Sequence, residues 1–388
     1  FGGALVFVPF ETAAGDAVVA VDCAKEGLTS ITHHRCSGRK QKAGGLVGDS
    51  STELVLDAIA ANHQALRGKR LVTCNHFDID AFLSVAALAL QPATRERQRA
   101  LLAEAARIGD FRELRYDALA DSGHPESATV DLALKLCCLL NTLEREAFAR
   151  PFETRDHDKW SFFLADERVR RLVALGDAEA SRPVWEPEYT RVVAECRRLR
   201  DPSMSQIEHF ADIGLVAVTT PEPVHYYALF SVVGDCDIVA ACYSSGRYEV
   251  EQRYSTFVEI TSRPVFPRLC MTRLARILRE IAPTEHWGAN RFVDSGPLLR
   301  IDLPGERTLN KAERYGHPFE RPIFASRIPQ THFVAAVCSF FRSGLAQQKL
   351  KREAGASFSF ERLHAINAGM NWSAVNAAVK GSVAAASA

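Results

Sequence analysis

The chain has 388 residues, of which 47% are hydrophobic and 24% charged, a balance that suits globular domains with sizeable cores. Lys+Arg and Asp+Glu are equal at 47, so no global field draws the chain to nucleic acid or to a membrane surface. The length favours two domains over one. Ten cysteines sit mostly inside apolar runs, with no CxxC pair and no regular spacing. That pattern argues for a reducing compartment rather than a disulfide framework. No apolar run reaches the ~18 residues that suggest a membrane span. A cytoplasmic location is expected. The chain starts at Phe1 rather than Met, which leaves an organelle lumen after leader removal as the alternative.

In chain order, Val18 to Val21 is a short β-rich run ending in Asp22, and Leu28 to Thr32 is a second, ending in His33-His34-Arg35. Ser37 to Ser51, rich in Gly and Lys, reads as a mobile loop. Ser50-x-x-Glu53 has the capping-box pattern and opens a helix through about Leu66. The apolar strand from Leu71 ends in His76-x-Asp78-x-Asp80, and an alanine-rich helix begins near Ala81. A further helix from about Thr94 to Ile108 closes on Gly109-Asp110-Phe111. Strand, loop and helix alternate, which predicts an α/β fold: a parallel sheet with helices on both faces. Three helical segments follow as an insertion: Thr129 to Phe148, Lys159 to Leu175 and Glu188 to Leu199. His157, between two acids, reads as part of a helix start rather than a metal ligand.

Near residue 205 the texture changes. Ile213 to Thr219, Tyr226 to Val233, Asp237 to Tyr243 and Arg247 to Ile260 read as strands, with a helix near Thr272 to Ile281 and a strand near Arg300. The expected organisation is a metal-binding α/β domain over 1–205, a smaller α+β C-terminal domain over 206–376, and a disordered small-residue tail over 377–388.

The His76 segment carries the strongest chemical signal. Three hard ligand candidates lie within five residues at the carboxyl end of a strand, where open α/β sheets place their chemistry. In an extended turn His76, Asp78 and Asp80 point the same way. Two carboxylates and an imidazole suit Mn or Mg better than a structural zinc site. The competing reading makes Asp80 the cap of the next helix, which uses one acid and leaves His76 and Asp78 without a role. A site holding two ions needs about five hard ligands and a bridging carboxylate. Asp22, His33, His76, Asp78, Asp80 and Asp110 could supply them, with Asp80 or Asp22 as the bridge. His34 would then be free as the acid that protonates the leaving oxygen. Arginines would grip phosphate bidentately. Arg35 follows the histidine pair, and Arg247, Arg263 and Arg268 lie in the second domain, the last two flanking Pro264 and Pro267.

These motifs resemble those of the DHH phosphoesterase superfamily. His76, Asp78 and Asp80 resemble its first motif, Asp22 its second, His33-His34-Arg35 its third and Gly109-Asp110-Phe111 its fourth. The order along this chain is second, third, first, fourth, as in a circularly permuted catalytic domain. Thr32 stands where the family's motif has Asp before its histidine pair, and Ala81 where a Gly is usual. The resemblance implies a two-ion Mn or Mg hydrolase acting on a small phosphorylated substrate or a short oligonucleotide. It also implies a second domain that grips substrate through a glycine-rich loop, a place taken here by His286-Trp287-Gly288. A metal-dependent hydrolase of a non-phosphate bond, or a degenerate relative that binds without turnover, are the alternatives. A homodimer is compatible with the chain, and no membrane partner is expected. Asn75-His76-Phe77-Asp78 and the region from Arg247-Tyr248 to Pro267-Arg268 also resemble an uncharacterised bacterial protein family of about this length.

Overall fold

A computed structural model describes residues 5–35, 41–148, 156–293, 296–302, 316–355 and 358–386. The architecture is mixed α/β, and the chain divides into two compact units, 1–192 with 259–262 and 193–258 with 263–388.

The first unit is built on a five-stranded sheet in which every pairing is parallel. Its strands are β1 (Val6–Phe7), β2 (Val18–Val21), β3 (Thr29–Ile31), β4 (Gln41–Lys42) and β5 (Leu71–Thr73), in the order β1-β5-β2-β3-β4. Parallel strands are covered on both faces and so read as unbroken apolar runs; all four residues of β2 are buried. The chain steps outward from β2 to β3 and β4, then returns so that β5 pairs on the other side of β2. The strand order reverses there, and the carboxyl ends of β2, β3 and β5 surround the crevice that such a reversal creates.

Helices α1 (Ser51–Ala60), α2 (Ile79–Ala89) and α3 (Pro92–Phe111) follow. The α1 capping box forms as expected: Ser50 Oγ accepts from the Glu53 N–H, and the Glu53 carboxylate accepts from the Ser50 N–H. All eleven residues of α2 are buried, and its alanines let α1 and α3 pack beside it. Gly109 on α3 lies against Ile79, at the first turn of α2, and a Cβ there would stand 2.5 Å from Ile79 Cβ. That contact brings Asp110 to the start of α2. The helical segment comprises α4 (Tyr116–Ala120), α5 (Ser127–Ala147), α6 (Asp156–Ala165), α7 (Glu167–Leu175) and α8 (Arg182–Arg200). The side chain of His157 lies outside the described residues, as do positions 37–40 of the expected loop. Gln41–Lys42, also expected as loop, form β4 by parallel pairing with Thr29 and Ser30.

The second unit holds a six-stranded sheet and a separate pair of strands. β6 (Gln206–Phe210), β7 (Leu215–Thr220), β8 (Ile238–Tyr243), β9 (Arg247–Gln252), β11 (Trp287–Ala289) and β12 (Leu298–Ile301) run in the order β11-β12-β9-β8-β7-β6. Only β7 and β8 pair in parallel. β10 (Pro264–Val265) pairs with β13 (Glu353–Ala354). The helices are α9 (Tyr226–Phe230), α10 (Met271–Ile281), α11 (Gln330–Gln347), α12 (Phe360–Ala368) and α13 (Trp372–Ala386).

Several expectations are corrected here. The first break between the units falls at 192/193, inside α8, where a boundary near 205 was expected. Tyr226 to Val233 opens as a helix, because His225 Nδ1 accepts from the Tyr227 N–H at 3.1 Å and caps it, overriding the β propensity of the aromatic run. The tail is helical through Ala386. Alanine is the best helix former, and α13 buries Val375 and Val379 while packing on α11 and α10. No helix among the described residues is long and apolar enough to cross a membrane.

Candidate metal centre

The carboxyl ends of β2, β3 and β5 bring the sequence candidates of the first unit to one point. Asp22 directly follows β2 and is almost wholly buried. Its backbone is left-handed (φ 50°), a conformation that Asp tolerates better than most residues. Its Oδ1 lies 3.3 Å from His33 Nε2 and 3.2 Å from His34 Nε2, and its Oδ2 lies 3.1 Å from His76 Nε2. Consecutive residues of an extended strand would point to opposite faces. Here Thr32 Oγ1 accepts the His34 N–H at 3.1 Å and bends the chain, so both imidazoles reach the same carboxylate. The two rings meet edge to face, 4.7 Å between centroids.

The His76 loop approaches from β5. His76 Nε2 is 3.1 Å from Asp78 Oδ2. Asp78, not Asp80, is the N-cap of α2, its Oδ1 accepting the Ala81 N–H at 2.8 Å. Asp80 lies in the first turn of α2 and is fully buried. Its two oxygens accept the Ser51 and Thr52 N–H groups at 2.7 and 2.8 Å, so the positive end of α1 faces it. Asp110, in the last turn of α3, places Oδ2 3.5 Å from His33 Nε2.

Two sets of potential ligands result, Asp22/His33/Asp80 and Asp22/His34/His76, with ligand atoms in each set within 4.8 Å of one another. Asp22 belongs to both. These clusters are capable of coordinating metal ions, and hard carboxylate oxygens with imidazole nitrogen suit a divalent cation. Asp110 Oδ2 supplies a test of that fit: it is buried and has no hydrogen-bond partner among the described residues. An acceptor in that condition is costly unless a cation or proton meets it. His34, expected to stand apart as an acid, instead lies in the triad with His76.

The electrostatics record the same crowding. Burial, then Asp22, pushes Asp80 up to about 7 against the opposing pull of His33 and Thr52. Burial and the neighbouring Asp80, Asp78 and Asp22 carboxylates push Asp110 well above the carboxylate range, against His33. Burial alone would lower His33, but Asp110, Asp22 and Asp80 raise it to about 10. Burial would raise Asp22, yet His34, His33 and His76 together hold it well below its usual value.

These shifts fix the sign of a pH effect. His33 and Asp80 both have raised values, so their contribution to metal-free stability is complete at low pH. It is lost as pH rises through about 7 for Asp80 and about 10 for His33. Binding a cation displaces those protons, so affinity rises with pH. The gap between melting temperatures with Mn²⁺ and with chelator should widen from about pH 6 to about pH 8, corresponding to on the order of a few kcal/mol at saturation. Curves that coincide with and without Mn²⁺ throughout that range would remove the metal reading.

Residues that carried no separate signal complete the site. Asp49, buried, presents its carbonyl to His33 Nδ1 at 2.7 Å. A carbonyl only accepts, so Nδ1 carries a proton; in the metal-free chain the Nε2–H of the imidazolium faces the carboxylates, and loss of that proton would leave an Nε2 lone pair for a cation. Ser51 Oγ–H donates to Asp22 Oδ1 at 2.6 Å. Ser50-x-x-Glu53 was legible as a helix start; what the run Gly48-Asp49-Ser50-Ser51-Thr52 grips was not, because Asp22 and Asp80 lie some way off in sequence.

The arginines divide. Arg35 follows His34 and is half-buried; burial lowers it to about 10 and Glu259 opposes that shift. Arg247, Arg263 and Arg268 belong to the second unit. Arg247 pairs with Glu222 at 2.8 Å and Arg263 with buried Asp237 at 2.8 Å. Arg268, expected as a phosphate clamp on a loop, is an interior side chain. Its guanidinium donates to Thr256 Oγ1 at 2.5 Å and to the carbonyls of Phe292 and Arg253, each at 3.1 Å.

No curated protein and no solved structure matches the chain. One family model does match, over residues 4–352, and the chain therefore belongs to the family of unknown function DUF6687.

Proposed function

We propose that this chain is a divalent-metal-dependent hydrolase of phosphoesters or phosphoanhydrides, built on permuted DHH-type motifs and holding two Mn²⁺ or Mg²⁺ ions. The observation that carries this reading is Asp22. One of its oxygens faces His33 and His34 while the other faces His76, so a single carboxylate serves both potential ligand sets. Two ions sharing a carboxylate suit the in-line displacement of phosphoryl chemistry, where paired cations stabilise attacking and leaving oxygens and lower the pKa of water.

The chain's own residues prepare that arrangement. His33 and Asp80 with neighbouring Asp110 would hold one ion, and His34 and His76 with neighbouring Asp78 the other, with Asp22 common to both sets. The α1 N–H groups fix both oxygens of Asp80, so its orientation is set before any ligand arrives. Arg35, adjoining the histidine pair, is the guanidinium in this unit best placed in sequence for a phosphate oxygen. A small phosphorylated molecule or a short oligonucleotide is the substrate class.

A second reading keeps the metals and changes the bond. Thr32 occupies the place where the DHH pattern has Asp, and its hydroxyl is engaged by the His34 N–H. A site lacking that carboxylate could serve a non-phosphate ester or amide. The test is a screen of phosphomonoesters, phosphodiesters, pyrophosphate, polyphosphate and short oligonucleotides beside carboxylic esters and amides, with Mn²⁺ and with chelator. Release of phosphate or nucleotide that needs Mn²⁺ is the expected result. Turnover confined to carboxylic substrates favours the second reading, and no turnover of any substrate sinks both.

A further inference from the structure

Four residues, Glu259–Ser262, lie more than two hundred positions beyond Asp49 yet pack within the first unit. The Glu259 N–H donates to the His33 carbonyl at 2.9 Å, and the Glu259 carboxylate pairs with Lys42. The Thr261 and Ser262 N–H groups donate to Asp49 Oδ1 at 2.7 and 2.8 Å, and Thr261 Oγ1 to the same oxygen at 3.1 Å. The other oxygen, Asp49 Oδ2, accepts from Arg107 at 3.1 Å. Arg107 stands on α3 one turn before Asp110 and also binds Glu113 at 2.8 Å. Asp49 is 1% exposed, and its carbonyl holds His33 Nδ1 at 2.7 Å.

We propose that Asp49, clamped by the 259–262 strap and by Arg107, is a positioning residue that sets the ring of His33 for one of the two ions and not for the other. The inference rests on the metal reading given above. Its logic is geometric. A ligating imidazole is aimed by the partner of its second nitrogen, and such partners matter roughly 10–100-fold to metal affinity. His33 belongs to the set with Asp80, whereas in the other set His76 Nδ1 faces Asn75 Oδ1 at 2.7 Å. The strap fixes Asp49 from one side and α3 fixes it from the other, so the His33 carbonyl and the His33 ring are both tied to residues 259–262.

The test is calorimetric titration of the full chain with Mn²⁺ alone, repeated with Co²⁺ while its visible absorption bands are recorded. Wild type should bind two equivalents. Asp49→Ala should weaken one equivalent by roughly 10–100-fold and leave the other unchanged, with the Co²⁺ bands altered for that equivalent alone. Asp49→Asn keeps an oxygen for the Thr261 and Ser262 N–H groups and should recover most of the loss. If Asp49→Ala does not fold, Asp49→Glu, which displaces the clamp by one methylene, is read by the same criterion. Equal weakening of both equivalents, or of neither, overturns the positioning role while two-ion binding stands. A wild-type chain that binds no Mn²⁺ overturns the metal reading, and this inference with it.

Discussion

Asp22→Asn should cost the protein both ions and its turnover, and it should also lower the metal-free melting temperature at neutral pH. The substitution preserves shape, and Ser51 Oγ–H, which donates to Asp22 Oδ1 at 2.6 Å, can donate equally to an amide oxygen. It removes one negative charge from a buried cluster that also contains Asp80 and Asp110. In the metal-free chain that charge helps push Asp80 up to about 7. Against burial, however, His34, His33 and His76 hold Asp22 ionised well below its usual value, so its loss leaves those imidazoles without their carboxylate and the net effect is destabilising. With metal the loss is larger still, because the lost carboxylate is common to both ligand sets. Affinity should fall by more than the roughly 10–100-fold typical of an outer partner. Paired measurements decide it: Mn²⁺ titration, and melting curves with Mn²⁺ and with chelator. An Asp22→Asn chain that still takes up two Mn²⁺ near wild-type affinity would show that Asp22 bridges nothing.

The parts of this site that were legible in the sequence are those in which a local pattern and its physical consequence coincide. β2, β3 and β5 read as strands because buried parallel strands are unbroken apolar runs, and the polar residues at their carboxyl ends mark where each run stops. Asp22, His33, His34 and His76 therefore declared themselves by position, and so did the capping box of α1. Thr32 read as a defect in a motif, yet its hydroxyl makes the bend that aims both histidines at Asp22. Asp49 had no local signal, since its carboxylate partners at Thr261 and Ser262 come from far along the chain. The helical tail was hidden because small-residue composition resembles disorder until the packing partner of Val375 and Val379 is known. Arg268 was misjudged for a related reason: whether a guanidinium faces solvent or interior is decided by tertiary burial, and Pro267 beside it suggested a loop.

Arg268→Ala, accordingly, should act on stability rather than on substrate. The side chain is 2% exposed and ranks among the largest fully buried in the chain. Its guanidinium stacks over Phe257 at 5.0 Å and supplies donors to Thr256 Oγ1 and to the Phe292 and Arg253 carbonyls. Truncation to Ala removes those donors from Thr256 Oγ1 and the Phe292 carbonyl, while the Arg253 carbonyl keeps Thr256 Oγ1–H at 2.8 Å, and it opens a cavity beside Phe257. Each unsatisfied buried group costs about 1–3 kcal/mol, and partial collapse of the cavity moderates the sum, so a loss of roughly 3–5 kcal/mol is expected. Arg268→Lys should recover little, because one ammonium cannot reproduce the planar fork that spans three acceptors. The two potential ligand sets that share Asp22 belong to the other unit, so Mn²⁺ affinity of the folded variant should match wild type. Urea denaturation with and without Mn²⁺ separates the two roles. A variant that melts like wild type but shows a raised KM for a phosphorylated substrate would restore the phosphate clamp and refute the interior role.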